Sequence, residues 1–206
     1  MKLALVSLLA STLVSSQISP PTTGDKPPPG SVTIGPIIYG GTGCPQGTVS
    51  ENMNSDGTAI TLLFDSYIAS IGPNVPVTEN RKNCQINVQL NVPQGWQYSI
   101  ATIDYRGFLQ LDPGVVAQQS ALYYFQGSVD QDRCTTTFTN ANNGDYTIRD
   151  KFGLATTVWS GCNAKANINI NSQIRLTAPA GKSGFITTDS IDSKVTHVYG
   201  VQWEKC

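Results

Sequence analysis

Residues Cys84 to Val92 read Cys-Gln-Ile-Asn-Val-Gln-Leu-Asn-Val, apolar and polar in strict turn. A β-strand sends successive side chains to opposite faces, so this stretch is predicted to bury one face and wet the other. The pattern returns at Asn167 to Leu176, where Ile168, Ile170, Ile174 and Leu176 share one parity. Asn167, Asn169, Asn171, Gln173 and Arg175 occupy the other. Further strands are expected at Gly47–Met53 and Thr58–Tyr67, around the turn signal Asn54-Ser-Asp-Gly57, and at Trp96–Tyr105 after Pro93-Gln-Gly95. Gly107–Leu111, Ser120–Val129, Cys134–Thr139 and Leu154–Ser160 follow, then Ala166–Thr177, Gly184–Thr188 and Lys194–Glu204. Ile71–Pro76 reads as a loop, as does Asp112-Pro-Gly114. No segment repeats at 3.6 residues over three turns, and Val115–Leu122 is the one place for a short helix. About ten short strands between turn residues predict an all-β chain, an antiparallel sandwich of jelly-roll type.

The start of the chain has a different pattern. Met1 and Lys2 precede an apolar run from Leu3 to Val14, and Ser15, Ser16 and Gln17 follow. A short basic start, an apolar stretch and small residues are the marks of a secretory signal, here residues 1–16 with cleavage after Ser16. The run is too short to span a bilayer, which takes roughly 20 apolar residues. Residues 17–31 form a Pro/Thr-rich linker or pro-segment, with threonines open to O-linked sugar. Residues 32–206 then make one domain with a sizeable core. No later stretch suits a membrane anchor, so the expected location is extracellular and soluble.

Charge is sparse. Charged residues are 13% of the chain and the net charge is −1, against roughly 25% charged in an average soluble domain. No run of Lys or Arg is present, which argues against a nucleic-acid partner. Five cysteines in an exported chain imply disulfides with one cysteine left over. Their wide spacing, without Cys-x-x-Cys, argues against a redox motif or a zinc site. The expected bridges are Cys44–Cys84 and Cys162–Cys206, one of the three pairings these four allow. Cys134, in the polar stretch Asp-Arg-Cys-Thr-Thr-Thr, is then the odd thiol.

Candidate chemistry is thin. His197 is the single histidine, and it shares parity with Val195, Tyr199, Val201 and Trp203, so a core position is expected. Two-histidine catalysis is excluded, and no Gly-x-Ser-x-Gly supplies a nucleophile elbow. Glycoside hydrolysis needs two carboxyls, usually about 5–10 Å apart. Asp104 and Asp112 flank Tyr105-Arg106-Gly107 and would approach each other if that segment were a tight strand return. The competing reading pairs Asp104 with Arg106 or bonds it to turn amides. Asn52-Met-Asn-Ser-Asp56-Gly57 imitates half a calcium loop, but Leu63 stands where that loop needs a glutamate. Asp189 and Asp192 offer oxygens that a capped turn explains as well. No metal set and no cofactor motif is read. What remains are the Asn/Gln faces of the alternating strands, suited to sugar hydroxyls. Trp96, Tyr98, Tyr105, Phe108, Tyr123 and Tyr124 are divided between stacking on sugar rings and filling the core.

Several segments together resemble a known family. They are Tyr39-Gly-Gly-Thr-Gly-Cys-Pro-Gln-Gly47, Leu63-Phe-Asp-Ser-Tyr67, Arg81-Lys-Asn-Cys-Gln85, Asp104-Tyr-Arg-Gly107 and Tyr123-Tyr-Phe125. Val158-Trp-Ser-Gly-Cys162, Asn167–Leu176, Thr187–Asp192 and Val198–Cys206 continue the likeness. The chain resembles a family of small secreted fungal and bacterial proteins catalogued as domain of unknown function 4360. The resemblance implies a secreted β-rich domain with four family cysteines, at Cys44, Cys84, Cys162 and Cys206, and Cys134 departs from that pattern. It implies no activity. The expected function is a non-enzymatic extracellular binding protein, with cell-wall polysaccharide or an extracellular host protein as partner. The alternative is a carbohydrate-active hydrolase or lyase using Asp104 and Asp112.

Overall fold

The alternating stretches become the inner strands of a two-layer β-structure. A computed structural model of the chain describes residues 26–55, 59–151, 159–162, 167–188 and 195–206. The expected signal sequence and most of the expected linker lie outside the described residues, as do Asp189, Asp192 and the greater part of Leu154–Ser160. The strands are β1 (Thr33–Gly40), β2 (Val49–Met53), β3 (Ala59–Phe64), β4 (Ile68–Ile71), β5 (Arg81–Asn91) and β6 (Trp96–Leu111). After these come β7 (Val116–Phe125), β8 (Gln131–Phe138), β9 (Gly144–Lys151), β10 (Asn167–Thr177), β11 (Gly184–Thr187) and β12 (Val195–Lys205).

They form two antiparallel sheets. One runs β1-β5-β10-β7-β8, the other β2-β3-β12-β6-β11-β4 with β9 also paired to β6. From β4 to β7, and again from β8 to β11, the chain changes sheet at every connection, the habit of a jelly roll. Cys84, Ile86, Val88 and Leu90 of β5 and Ile168, Ile170, Ile174 and Leu176 of β10 are buried. Ile60, Leu62 and Phe64 of β3 and Ile103, Tyr105 and Leu109 of β6 supply the opposing layer. Tyr98 of β6 meets Phe125 of β7 edge-on across the gap, with ring centroids 5.2 Å apart.

β6 corrects the sequence reading. Asp104-Tyr-Arg-Gly107 is no strand return, because β6 runs straight through it for 16 residues. One edge of β6 pairs with β12 as far as Arg106 and then with β11 from Phe108. A Cβ on Gly107 would overlap the carbonyl oxygen of Thr187 and lie 2.7 Å from the Cα of Thr188. The glycine therefore serves a close backbone approach between strands, not a turn. Val115–Leu122 is likewise no helix: Val116–Phe125 is strand β7, with Ala117, Gln119, Ala121, Tyr123 and Phe125 all buried at period two. Strands β1, β4 and β9 were not anticipated. Ile68–Ile71 is too short to show a period, and in Gly144–Lys151 only Tyr146 and Ile148 mark an apolar parity, too few to stand out.

Both expected bridges form. Cys44 joins Cys84 at a Cα separation of 5.4 Å and Cys162 joins Cys206 at 5.8 Å. Cys134 on β8 stands outside both, half-buried and opposite Ala121. The bridges close loops of 40 and 44 residues, which on a chain-entropy argument stabilises by about 4 kcal/mol each.

Replacing Cys44 and Cys84 together by alanine is expected to cost about 2–5 kcal/mol in urea unfolding. Non-reducing peptide mapping of the parent should recover both bridges. Gly107→Ala is expected to destabilise by roughly 3 kcal/mol or more, because the atoms it meets are backbone. Gly40→Ala, with no heavy atom within 4 Å of the added Cβ, should stay within about 0.5 kcal/mol of the parent.

Candidate binding face

With one parity of each strand committed to the core, the other parity of β1, β5, β10, β7 and β8 forms a continuous outer face. The strand registers align it in rows. Ile38, Asn87, Asn169, Tyr124 and Gln131 stand side by side across all five strands. Beside them run Gln85, Asn171, Leu122 and Arg133, then Asn83, Gln173, Ser120 and Thr135. A further row holds Arg81, Arg175, Gln118 and Thr137.

The amides are tied to one another. Asn87 donates through Nδ2 to Asn169 Oδ1 at 2.9 Å and accepts at Oδ1 from Asn167 Nδ2 at 2.9 Å. Arg81 donates through Nε to Gln173 Oε1 at 2.6 Å. Each primary amide has two N–H donors and a carbonyl with two lone pairs, so one mutual bond leaves capacity toward solvent. The mutual bonds fix the orientation of the amides before any ligand arrives, which lowers the ordering cost of binding. Arg81, Ser120, Leu122, Arg133, Asn171 and Gln173 enclose a shallow cleft of about 190 Å³ on this face.

The residues singled out in the sequence fall in different places. Asp104 and Asp112 are not brought together. They are eight residues apart along one extended segment, at about 3.4 Å per residue roughly 27 Å of strand. Asp104 is held by Arg149 of β9, directly across the ladder, with Nε to Oδ1 at 2.6 Å and Nη2 to Oδ2. The hydrogen bonds from Arg149 are the main reason its carboxyl is held below the ordinary aspartate range. The same pair raises the guanidinium. Asp112 accepts from the backbone N–H of Ser183 at 2.9 Å. Both carboxylates bind the fold's own groups.

Of the six aromatics, Tyr98, Tyr105 and Tyr123 are buried. Lys205 lies 5.5 Å over the Trp96 ring. Phe108 stacks on Phe185, centroids 5.9 Å apart, on the outer side of the other sheet. Phe185 in turn helps line a hollow of about 470 Å³ with Ser70, Asn74, Gln110 and Asp112. Of the six only Tyr124 joins the amide rows. The backbone of His197 lies opposite Tyr105 and Leu62; the expectation for its side chain lies outside the described residues. Among the described residues no group of three His, Cys, Asp or Glu is placed to hold a metal, and no helix is long and apolar enough to cross a membrane. Arg81 and Arg133 were not foreseen as site residues. Only their outward register with Asn171 and Gln173 marks them, and register is set by pairing partners far along the chain.

A family model described as "Domain of unknown function (DUF4360)" matches residues 30–206. An "Uncharacterized secreted protein" of Arthroderma benhamiae is 44% identical over 184 residues, covering 89% of this chain and 75% of that protein. Among solved structures, TmCBM61 in complex with β-1,4-galactotriose is similar at 11% identity and a TM-score of 0.30, over 83% of this chain and 89% of that one. The enzymatically active domain of tailspike protein 4 of bacteriophage CBA120 gives 13% identity and a TM-score of 0.30, over 84% and 20%. Likenesses at these TM-scores carry no argument about fold or ligand.

The Asp104–Arg149 pair has a pH signature. Because the folded-state pKa of Asp104 is depressed, the stability it contributes is full above about pH 4, the unfolded value, and is lost as pH falls below it. Asp104→Asn is expected to lower Tm at pH 7 and to flatten the loss of Tm between about pH 5 and pH 2. An acid limb identical to the parent's would show that the pair does not set it.

Proposed function

The chain belongs to the DUF4360 family of secreted proteins, and from that premise we propose that it is a non-enzymatic binding protein whose outer five-stranded face docks on polysaccharide of a cell wall. The observation that carries this reading is the run of pre-oriented Asn and Gln side chains, Asn87, Asn167 and Asn169 chief among them, on an extended outer surface. Sugar hydroxyls are donors and acceptors at once, and primary amides present both in one plane. Tyr124 and Leu122 on the same rows offer apolar area for the face of a sugar ring. An extended glycan lies flat on such a surface, so a deep pocket is not required. The loss of the Asp104/Asp112 pairing removes the support for the hydrolase alternative.

The test is retention on insoluble chitin, β-glucan and cellulose, and on a whole-wall preparation, against an albumin control. The parent should be retained on at least one of them. Asn169→Ala and Tyr124→Ala should each weaken that retention by about tenfold, the loss of roughly 1.4 kcal/mol, with the fold retained and the thermal transition shifted by no more than about 5 °C. Equal retention of the variants would move the site off this face. No retention of the parent on any polysaccharide would overturn the reading in favour of a protein partner.

A further inference from the structure

Resting on the polysaccharide reading, we infer that the face selects an acidic polysaccharide and holds the carboxylates of its uronate units. The first observation is how charge is divided. The five strands of this sheet carry Arg81, Arg133 and Arg175 at outward positions and no outward Asp or Glu. Their single carboxylate, Asp132, has the opposite parity, pairing with the buried Tyr123, and accepts the backbone N–H of Arg133 at 2.8 Å. Lys82 also turns away and is paired with Glu79 at 2.8 Å. A chain with 13 basic and 14 acidic residues has thus placed only cations among the outward charges of these five strands. No stretch of its sequence is basic, because the three arginines come from three strands.

The second observation is that Arg81 and Arg175 are register partners across β5 and β10. Like charges directly opposite on one face repel, where an opposite pair would have stabilised. The pairing of the two guanidinium groups brings no Coulombic gain to folding. An anion bound between them would relieve the repulsion. Arg81 is also fixed in place, since its Nε is committed to Gln173 Oε1, which leaves the two Nη groups for a ligand.

The third is the cleft. Its volume of about 190 Å³ accommodates about one sugar residue. Arg81 and Arg133 stand in its wall, Asn171, Gln173 and Ser120 supply hydroxyl partners, and the surface it presents is almost wholly polar. A guanidinium matches a carboxylate in two parallel N–H···O bonds, which a lysine cannot do. A uronate unit combines that carboxylate with hydroxyls, the two kinds of group that a polar, arginine-walled cleft suits. Bases of a nucleic acid would need stacking platforms, and Tyr124 is the single aromatic side chain in the outward rows.

The experiment measures binding of the secreted protein to polygalacturonate and alginate. The same pectin backbone fully methyl-esterified, a neutral β-glucan, dextran sulfate and polyglutamate serve as comparison polymers. Polygalacturonate or alginate should bind at least tenfold more tightly than the esterified or neutral polymers, and more weakly as salt rises. Arg133→Gln and Arg175→Gln should each reduce that affinity about fivefold. Arg175→Gln should also raise Tm by about 1–3 °C, since it removes a like-charge pair. Neutral or esterified polymers binding as well as the acidic ones, with the arginine variants unaffected, would overturn this inference and leave the polysaccharide reading standing. Dextran sulfate or polyglutamate binding as tightly as the uronates would overturn it in favour of indiscriminate polyanion attraction. Failure to bind any glycan would end both readings.

Discussion

The register between β5 and β10, in which Asn87 lies opposite Asn169 and Arg81 opposite Arg175, is the constraint from which the rest of the molecule follows. Each strand alternates, so the pairing that lines up Ile86 with Ile170 inside also lines up amide with amide outside. A slip of one residue would expose Val88 and Ile168 and bury Asn87 and Asn169, so the core holds the register tightly. β7 continues the same alignment on the other edge of β10, with Tyr124 beside Asn169 and Ser120 beside Gln173. The outer face inherits its order from the inner one.

Between the sheets, polar contacts select one arrangement of a packing that apolar side chains alone would leave freer. The hydroxyl of Tyr67, between β3 and β4, lies 2.6 Å from that of Ser172 on β10. Tyr146 of β9 donates to the carbonyl of Thr187 at 3.0 Å and lies 3.3 Å from Gln119 Oε1 of β7. Burial pushes the ionisation of both tyrosines well upward, so they stay neutral donors over the whole physiological range. The Tyr67–Ser172 and Tyr146–Gln119 contacts each join one layer to the other at a defined height, and a buried hydroxyl displaced from its partner is costly. Gly107 belongs to the same region, where β6 passes Thr187 and Thr188 too closely for a side chain.

The two disulfides act at the margins of this arrangement. Cys44 anchors the β1–β2 loop to Cys84 inside β5, with both residues fully buried. Cys206 is tied to Cys162 and donates its backbone N–H to Gly95 at 2.9 Å, which secures the end of β12 against the start of β6. The ion pair of Asp104 with Arg149 does similar work on the outer side of the other sheet, joining β9 to β6. Acidic groups that suggest catalysis on paper are here fastening strands.

By itself the sequence determined what depends on neighbours a few residues away. Period two at Cys84–Val92 and Asn167–Leu176 marked both strands and which side of each is wet, because alternation is a property of the single extended chain. The turn at Asn54 was legible for the same reason: its backbone N–H bonds the carbonyl of Ala59 only five residues on. Where local and distant demands competed, the sequence misled. Gly107 reads as a turn until β11 is laid against β6, and Val115–Leu122 reads as a helix until β10 offers it a ladder. The tertiary structure alone decided which side chains share a row. Arg81, Arg133 and Arg175 lie tens of residues apart in the chain, and hydrogen-bonded pairing of separate strands is what gathers them on one face while parting Asp104 from Asp112 along another.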